Sequence, residues 1–139
     1  MTRMLKRTHD ERGQSVSLFA LVIMAAMIMT AGLVIDGGQK ITAASRAEAA
    51  AAGAARAAGN AAATQELAGV DPVAVAVTAA NRYLDGQPGV AGSVSVSAGV
   101  VTVTTESSAA TLFLSVIGIG SLSATGSATA NIVATGESR

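Results

Sequence analysis

The sequence predicts an α+β protein: an N-terminal transmembrane helix continuing into an alanine-rich helix, a second helix, and a small antiparallel sheet of about three strands with one short helix. Three observations predict this class. Residues 13–35 are apolar and carry no charge, alanine fills most positions of residues 40–60, and period-two alternation recurs after residue 92. With 139 residues, the chain has room for one small domain beside its membrane segment.

The first element is a membrane helix over residues 13–35. From Leu18 to Ile35 a helix would run about 27 Å, and from Gln14 about 33 Å, enough to cross a hydrocarbon core of about 30 Å. The positive-inside rule then assigns residues 1–12 to a basic cytoplasmic tail and residues 36–139 to an extracytoplasmic domain of a single-pass cell-membrane protein. The Lys and Arg residues that precede the span are Arg3, Lys6, Arg7 and Arg12.

A cleaved signal peptide is the alternative interpretation of this segment. A basic region followed by an apolar run is typical of one, and cleavage would leave a small secreted protein. However, the apolar run exceeds the usual length of about 7 to 15 residues. No clear small-x-small site closes it before Asp36. We therefore favour a retained anchor.

Two helices are predicted beyond the membrane. Lys40–Asn60 is rich in alanine, the best helix former, and small side chains suit close packing on the protein's own sheet or bundling between subunits. A connector over residues 61–71 leads to Asp71-Pro72, an N-cap followed by proline at the first helical position. Asp85-Gly86 marks the end of this second helix.

The remaining segments predict the sheet. Residues 93–97 and 101–104 alternate in a β-hairpin, residues 109–118 form a short helix with one apolar face, and a last strand starts at Ser121. That strand has a face of small apolar residues and a face of Ser, Thr and Asn. We expect the alanine-rich helix to pack on the small face. Connection rules would let the last strand lie beside the first, antiparallel to it.

Composition argues against several function classes. The net charge is zero and three residues are aromatic, which makes nucleic-acid binding a poor prediction. The chain has no cysteine, and its one histidine, His9, lies in the basic tail, so the outer domain cannot build a Ser-His-Asp triad or a histidine metal site. Gly118-x-Gly120 follows an apolar segment and is interpreted as a helix stop. We predict no catalytic, cofactor-binding or metal residues, no cofactor and no small-molecule substrate.

Three residues are candidate interface positions. Asp36 is the first charge after the apolar run, where it either marks the membrane boundary or pairs with a cation on a partner helix. Thr125 and Thr129 lie on the Ser/Thr face of the last strand, which is either bare surface or an assembly edge.

These features together resemble the TadE/TadG-like proteins of Tad (Flp) pilus systems. The resemblance rests on the charged tail ending in Arg12-Gly13, on Leu33–Lys40 and Ala54–Asn60, and on the valine-rich hairpin with its following apolar segment, Thr111–Gly118, and small-residue strand. The alanine and glycine bias is similar to that of actinobacterial members. The resemblance implies a pilin-like fold and a non-enzymatic minor pilin or pseudopilin-like role in pilus assembly or its secretion machinery.

The same resemblance implies a candidate processing site for the prepilin peptidase. In pilin-like substrates cleavage follows a glycine after a basic tail, and a glutamate usually sits fifth in the mature chain. Here the candidate is Gly13 followed by Gln14, but the fifth residue would be Leu18. This departure favours an uncleaved anchor. The implied partners are the lipid bilayer, other Tad subunits and the peptidase; a membrane-anchored adaptor unrelated to pili is the alternative function.

Overall fold

The computed structural model describes residues 11–66, 68 and 71–132. These residues form two helices and a three-stranded antiparallel sheet, which confirms the predicted α+β class. The elements in chain order are α1 Glu11–Glu66, α2 Pro72–Asp85, β1 Val90–Ser97, β2 Val100–Ala110, a 3-10 turn Leu114–Ile117, and β3 Ser121–Asn131. The basic tail, apart from residues 11 and 12, and residues 133–139 lie outside the described residues.

Helix α1 is unbroken over 56 residues, so the predicted membrane segment and the alanine-rich helix are one element. It also includes residues 61–66, where the sequence suggested a connector. The correction has a local cause, because residues 61–66 are alanines, threonine, glutamine and glutamate without glycine or proline. Ala62 is buried in the core, which extends the packed face of α1 by one turn.

Helix α2 confirms its predicted start and end. The Asp71 side chain accepts a hydrogen bond from the Val73 N–H at 3.0 Å, and Pro72 takes the first helical position. The helix buries Ala76, Ala80 and Leu84. These three residues belong to one apolar stripe, which packs into the core between α1 and the sheet.

The sheet has the order β1-β2-β3, with both neighbouring pairs antiparallel. Strands β1 and β2 are joined by Ala98 and Gly99, both with positive φ, as a tight hairpin requires. The prediction that the last strand lies beside the first is wrong, because β3 pairs with β2. The chain returns at once through residues 111–120, closed by a hydrogen bond from the Thr111 N–H to the Gly120 carbonyl at 3.1 Å.

The predicted helix over residues 109–118 is reduced to a single 3-10 turn. Ala109 and Ala110 extend β2 and pair with Leu122 and Ser121 of β3, so the strand ladder continues where a helix was expected. Gly118 ends the turn with a φ of 91°, a left-handed conformation that suits glycine. We call residues 111–120 the connecting loop.

The core lies between the sheet and both helices, and it is built largely from alanine. Helix α1 presents alanines at helical spacing from Ala43 to Ala62, and β2 contributes Val101 and Val103. This confirms that the alanine-rich helix packs on the sheet. The approach is closest at Gly126, where a Cβ atom would lie 2.5 Å from the Ala47 carbonyl carbon. We use "head" for the described part of residues 36–132.

Candidate functional site

The N-terminal part of α1 is an exposed apolar surface. Every residue from Ser15 to Ala31 is exposed, and large side chains such as Met29 and Val16 are 74% and 68% exposed. Helix α1 is long and apolar enough to cross a membrane, with a mean hydropathy of 2.7 in its most apolar window. From Ala43 to Ala62 the same helix buries eight alanine side chains. Helix α1 therefore has an outward-facing apolar half and a core-forming half.

Asp36 lies where these two halves meet, and it is completely buried. Its carboxylate accepts three backbone hydrogen bonds from the connecting loop: from the Leu112 N–H at 2.8 Å, the Phe113 N–H at 3.1 Å and the Leu114 N–H at 2.7 Å. Three successive N–H groups at the start of the 3-10 turn are donors that strand pairing leaves free. A side chain on α1 thus holds a loop 76 to 78 residues further along the chain.

The hydrogen bonds decide the charge state of Asp36. Desolvation by burial raises the pKa of the carboxyl group, but the bonds from Leu112, Leu114 and Phe113 favour the ionised form and together bring the pKa below its ordinary value. At neutral pH the group is therefore a carboxylate, and the dipoles of three backbone N–H groups stabilise its charge. Asp36 is a structural clamp between α1 and the connecting loop.

Gly32 provides a second contact between the same two segments. It lies one helical turn before Asp36, on the same side of α1, and it is buried. A Cβ atom at Gly32 would overlap the Phe113 ring. The glycine lets the ring lie directly on the helix backbone, so Gly32 and Asp36 together fix the connecting loop at one level of α1.

The predicted processing site lies at the beginning of α1. The backbone of Gly13 and Gln14 is helical, only two and three residues after the first residue of α1 as the structure describes it. Nothing in this geometry tests cleavage. Processing after Gly13 stays a prediction.

Thr125 and Thr129 are exposed on the face of β3 that points away from the helices. Thr125 pairs with Glu106 of β2 and Thr129 with Thr102, so both threonines belong to the polar outer face of the sheet. Asp36 lies on the helix side and is not brought together with them. The carboxylate is engaged within the chain, and the interface role proposed for all three residues stays a prediction.

Sequence reasoning did not anticipate the partners of Asp36. Its hydrogen-bond donors are main-chain N–H groups, which every residue except proline has, so no residue type identifies them. They also lie 76 to 78 residues further along the chain. One clue was available: residues 107–131 contain no Lys or Arg, so a cation from the sheet end could not pair with the carboxylate. A buried acid beside an uncharged loop calls for backbone donors.

Comparison with known proteins adds one finding. Residues 13–64 match the family described as "Putative Flp pilus-assembly TadE/G-like". The match begins at Gly13, contains Gly32 and Asp36, and ends near the end of α1; α2 and the sheet lie outside it. No curated protein and no solved structure matches the chain. The family match supports a role in pilus assembly.

Proposed function

We propose that this chain, whose residues 13–64 form a TadE/G-like Flp pilus-assembly segment, is a non-enzymatic membrane-anchored component of Tad pilus assembly or its associated secretion system. Its role is that of a minor pilin or pseudopilin. The observation that carries the proposal is the division of α1 along its length. The family match covers both the exposed apolar half and the core-forming half of this one helix.

The proposed topology follows from charge and length. Residues 13–35 span the cell membrane once, the basic residues 1–12 stay in the cytoplasm, and residues 36–139 form the extracytoplasmic domain. The uncharged stretch ends at Asp36, whose carboxylate is bonded to the connecting loop instead of lying in lipid. In the proposed topology, every described charge from Asp36 onward lies on one side of the bilayer.

The proposed partners are the lipid bilayer, other Tad subunits and the prepilin peptidase. The polar outer face with Thr125 and Thr129 is the candidate contact with other subunits, because both helices leave it uncovered. The peptidase would act after Gly13. The absence of a glutamate at Leu18 favours an anchor that is retained whole.

Fractionation with intact-mass measurement tests the proposal. We expect a membrane protein of full length whose head is digested by protease added from outside the cytoplasmic membrane. A membrane form lacking residues 1–13 would support pilin-type processing with the same function. A soluble product that begins near residue 36 or later would refute the anchor and favour a secreted protein.

A matched pair of variants links the anchor to assembly. Met24→Lys places a charge in the middle of the span, which costs about 2.5 to 3.5 kcal/mol of insertion free energy. We expect this variant to lose membrane retention and to fail to restore pili in a strain lacking the gene. Asn81→Lys adds the same charge to an exposed position of α2 and should restore them. Normal piliation without the wild-type protein would indicate the adaptor function instead.

A further inference from the structure

We infer that the connecting loop is a second membrane contact, which seats its apolar side chains in the interfacial layer of the bilayer next to α1. The residues concerned, called the apolar tip, are Leu112, Val116, Ile117 and Ile119. The inference rests on the proposed membrane anchor and adds to it a lipid-binding surface on the head.

The position of the loop along α1 is the first argument. Asp36 and Gly32 hold the connecting loop at the level of residues 32–36. From Ser15 to Asp36 the helix runs about 33 Å at 1.5 Å per residue, close to the thickness of a hydrocarbon core. The clamp therefore places the loop at the edge of the membrane that α1 crosses.

The exposure of the apolar tip is the second argument. Val116 is 85% exposed and Ile117 72%, whereas Val73 and Tyr83, the exposed large apolar residues of α2, are each 38% exposed. Single exposed apolar residues are ordinary on protein surfaces, but a contiguous group indicates an interaction site. The tip continues the apolar surface of α1, because Phe113 of the same loop lies on Gly32.

The connecting loop also satisfies many of its own polar groups, as a segment entering an apolar layer must. The Ile119 N–H donates to the Leu114 carbonyl at 3.0 Å, and the Ser115 hydroxyl donates to the Leu112 carbonyl at 2.6 Å. The Thr111 hydroxyl donates to the Ile119 carbonyl. Asp36 accepts three further N–H groups. No charged residue occurs from residue 107 to residue 131, so insertion desolvates no charge of the sheet end.

The height of the apolar tip along α1 favours lipid over a protein partner. A protein could cover an apolar patch at any height on the head. This patch lies at the level where the lipid-facing surface of α1 ends, and it adjoins that surface. The continuity of the two surfaces identifies the bilayer as the partner.

Site-specific fluorescence of the full chain in phospholipid vesicles tests the inference. The chain has no cysteine, so one introduced cysteine gives one labelled site. Three variants carry the same environment-sensitive label: Val116→Cys in the tip, Thr104→Cys on the exposed outer face of the sheet, and Met24→Cys in the anchor. The quenchers are lipids spin-labelled near the headgroup and lipids spin-labelled deep in the acyl chain.

We expect the label at Val116 to be blue-shifted relative to Thr104 and quenched mainly by the headgroup-proximal spin label. The Met24 label should be quenched by the deep one. Adding Ile117→Asp to Val116→Cys should reduce the blue shift and the quenching, which excludes insertion driven by the label itself.

The outcomes separate this inference from the anchor. Quenching at Met24 without quenching at Val116 overturns the second contact and leaves the anchor intact. Absence of quenching at both positions overturns both. A Val116 label that is shielded only when other Tad subunits are added overturns lipid contact in favour of a protein partner.

Discussion

The close contact between Gly126 and α1 makes a quantitative prediction. A Cβ atom at Gly126 would lie 2.5 Å from the Ala47 carbonyl carbon and 2.5 Å from the Glu48 nitrogen, where ordinary contact begins at 3.4 Å. Both obstacles are helix backbone, which cannot rotate away. Gly126→Ala therefore requires β3 and α1 to separate by about 1 Å, and overpacking of this kind costs about 1 to 3 kcal/mol.

The separation also weakens a hydrogen bond across the same contact. Thr105 pairs with Gly126 in the sheet, and its hydroxyl donates to the Ala47 carbonyl at 2.7 Å. Such a bond contributes about 0.5 to 1.5 kcal/mol net. Replacing glycine in a strand returns about 0.5 to 1 kcal/mol by restricting the unfolded chain. We expect a net loss of about 2 kcal/mol in the free energy of unfolding of the head.

Gly59→Ala is the matched control on the same interface. Its Cβ atom would meet the Ala130 Cβ at 3.5 Å, an ordinary contact, and its helical backbone favours alanine. We expect this variant to gain about 0.5 to 1 kcal/mol.

Urea unfolding of the full chain in nanodiscs measures both effects. Tyr83 is the one tyrosine of a chain without tryptophan, and its side chain contacts Gly53 of α1, so its fluorescence reports head packing. A Gly126→Ala midpoint equal to or above that of the wild type would refute the close helix–sheet approach. So would equal destabilisation by Gly59→Ala.

Three further predictions use the same assay or a pilus count. Thr105→Val should lose about 0.5 to 1.5 kcal/mol with its bond to α1, whereas Ser107→Ala should be neutral or stabilising, because the buried Ser107 hydroxyl has no hydrogen-bond partner among the described residues. The lowered pKa of Asp36 means that its contribution is present above the ordinary pKa of about 4 and is lost as pH falls through the lower folded value. Asp36→Asn should thus be less stable than the wild type at pH 7, with a gap that narrows on acidification; a constant gap would contradict the clamp. Thr125→Lys with Thr129→Lys should leave the unfolding midpoint unchanged and abolish assembly, and normal piliation would show that this face contacts nothing essential.

Local signals made much of the fold predictable. Asp71-Pro72 and Asp85-Gly86 define both ends of α2, because capping and proline geometry act within a few residues. The two faces of β3 follow from its strict alternation, and the alanine-rich helix could only fill a core against an equally small sheet face.

The pairing of β3 and the bonding of the candidate site were harder to predict from the sequence. The alternation of β3 is satisfied whether β3 lies beside β1 or beside β2. The choice depends on the hydrogen bond that closes residues 111–120 into a tight connection. The Asp36 clamp depends on main-chain donors 76 to 78 residues away, which no spacing rule relates to an acid at the end of an apolar run. Its position was predicted to matter, but its bonding required the tertiary structure.

Helix α1 carries both the exposed apolar segment and part of the core of the head, which constrains where the chain can be cut. Of the fourteen buried apolar residues in the part of the chain that the structure describes, eight lie on α1 between Ala43 and Ala62. Cleavage before Ala43 would release a fragment that keeps all eight of these residues. Cleavage after Ala62 would separate α2 and the sheet from those eight residues and leave them with six of the fourteen. During synthesis this part of α1 also emerges before any strand, so the alanines that fill the core are available before the sheet can form.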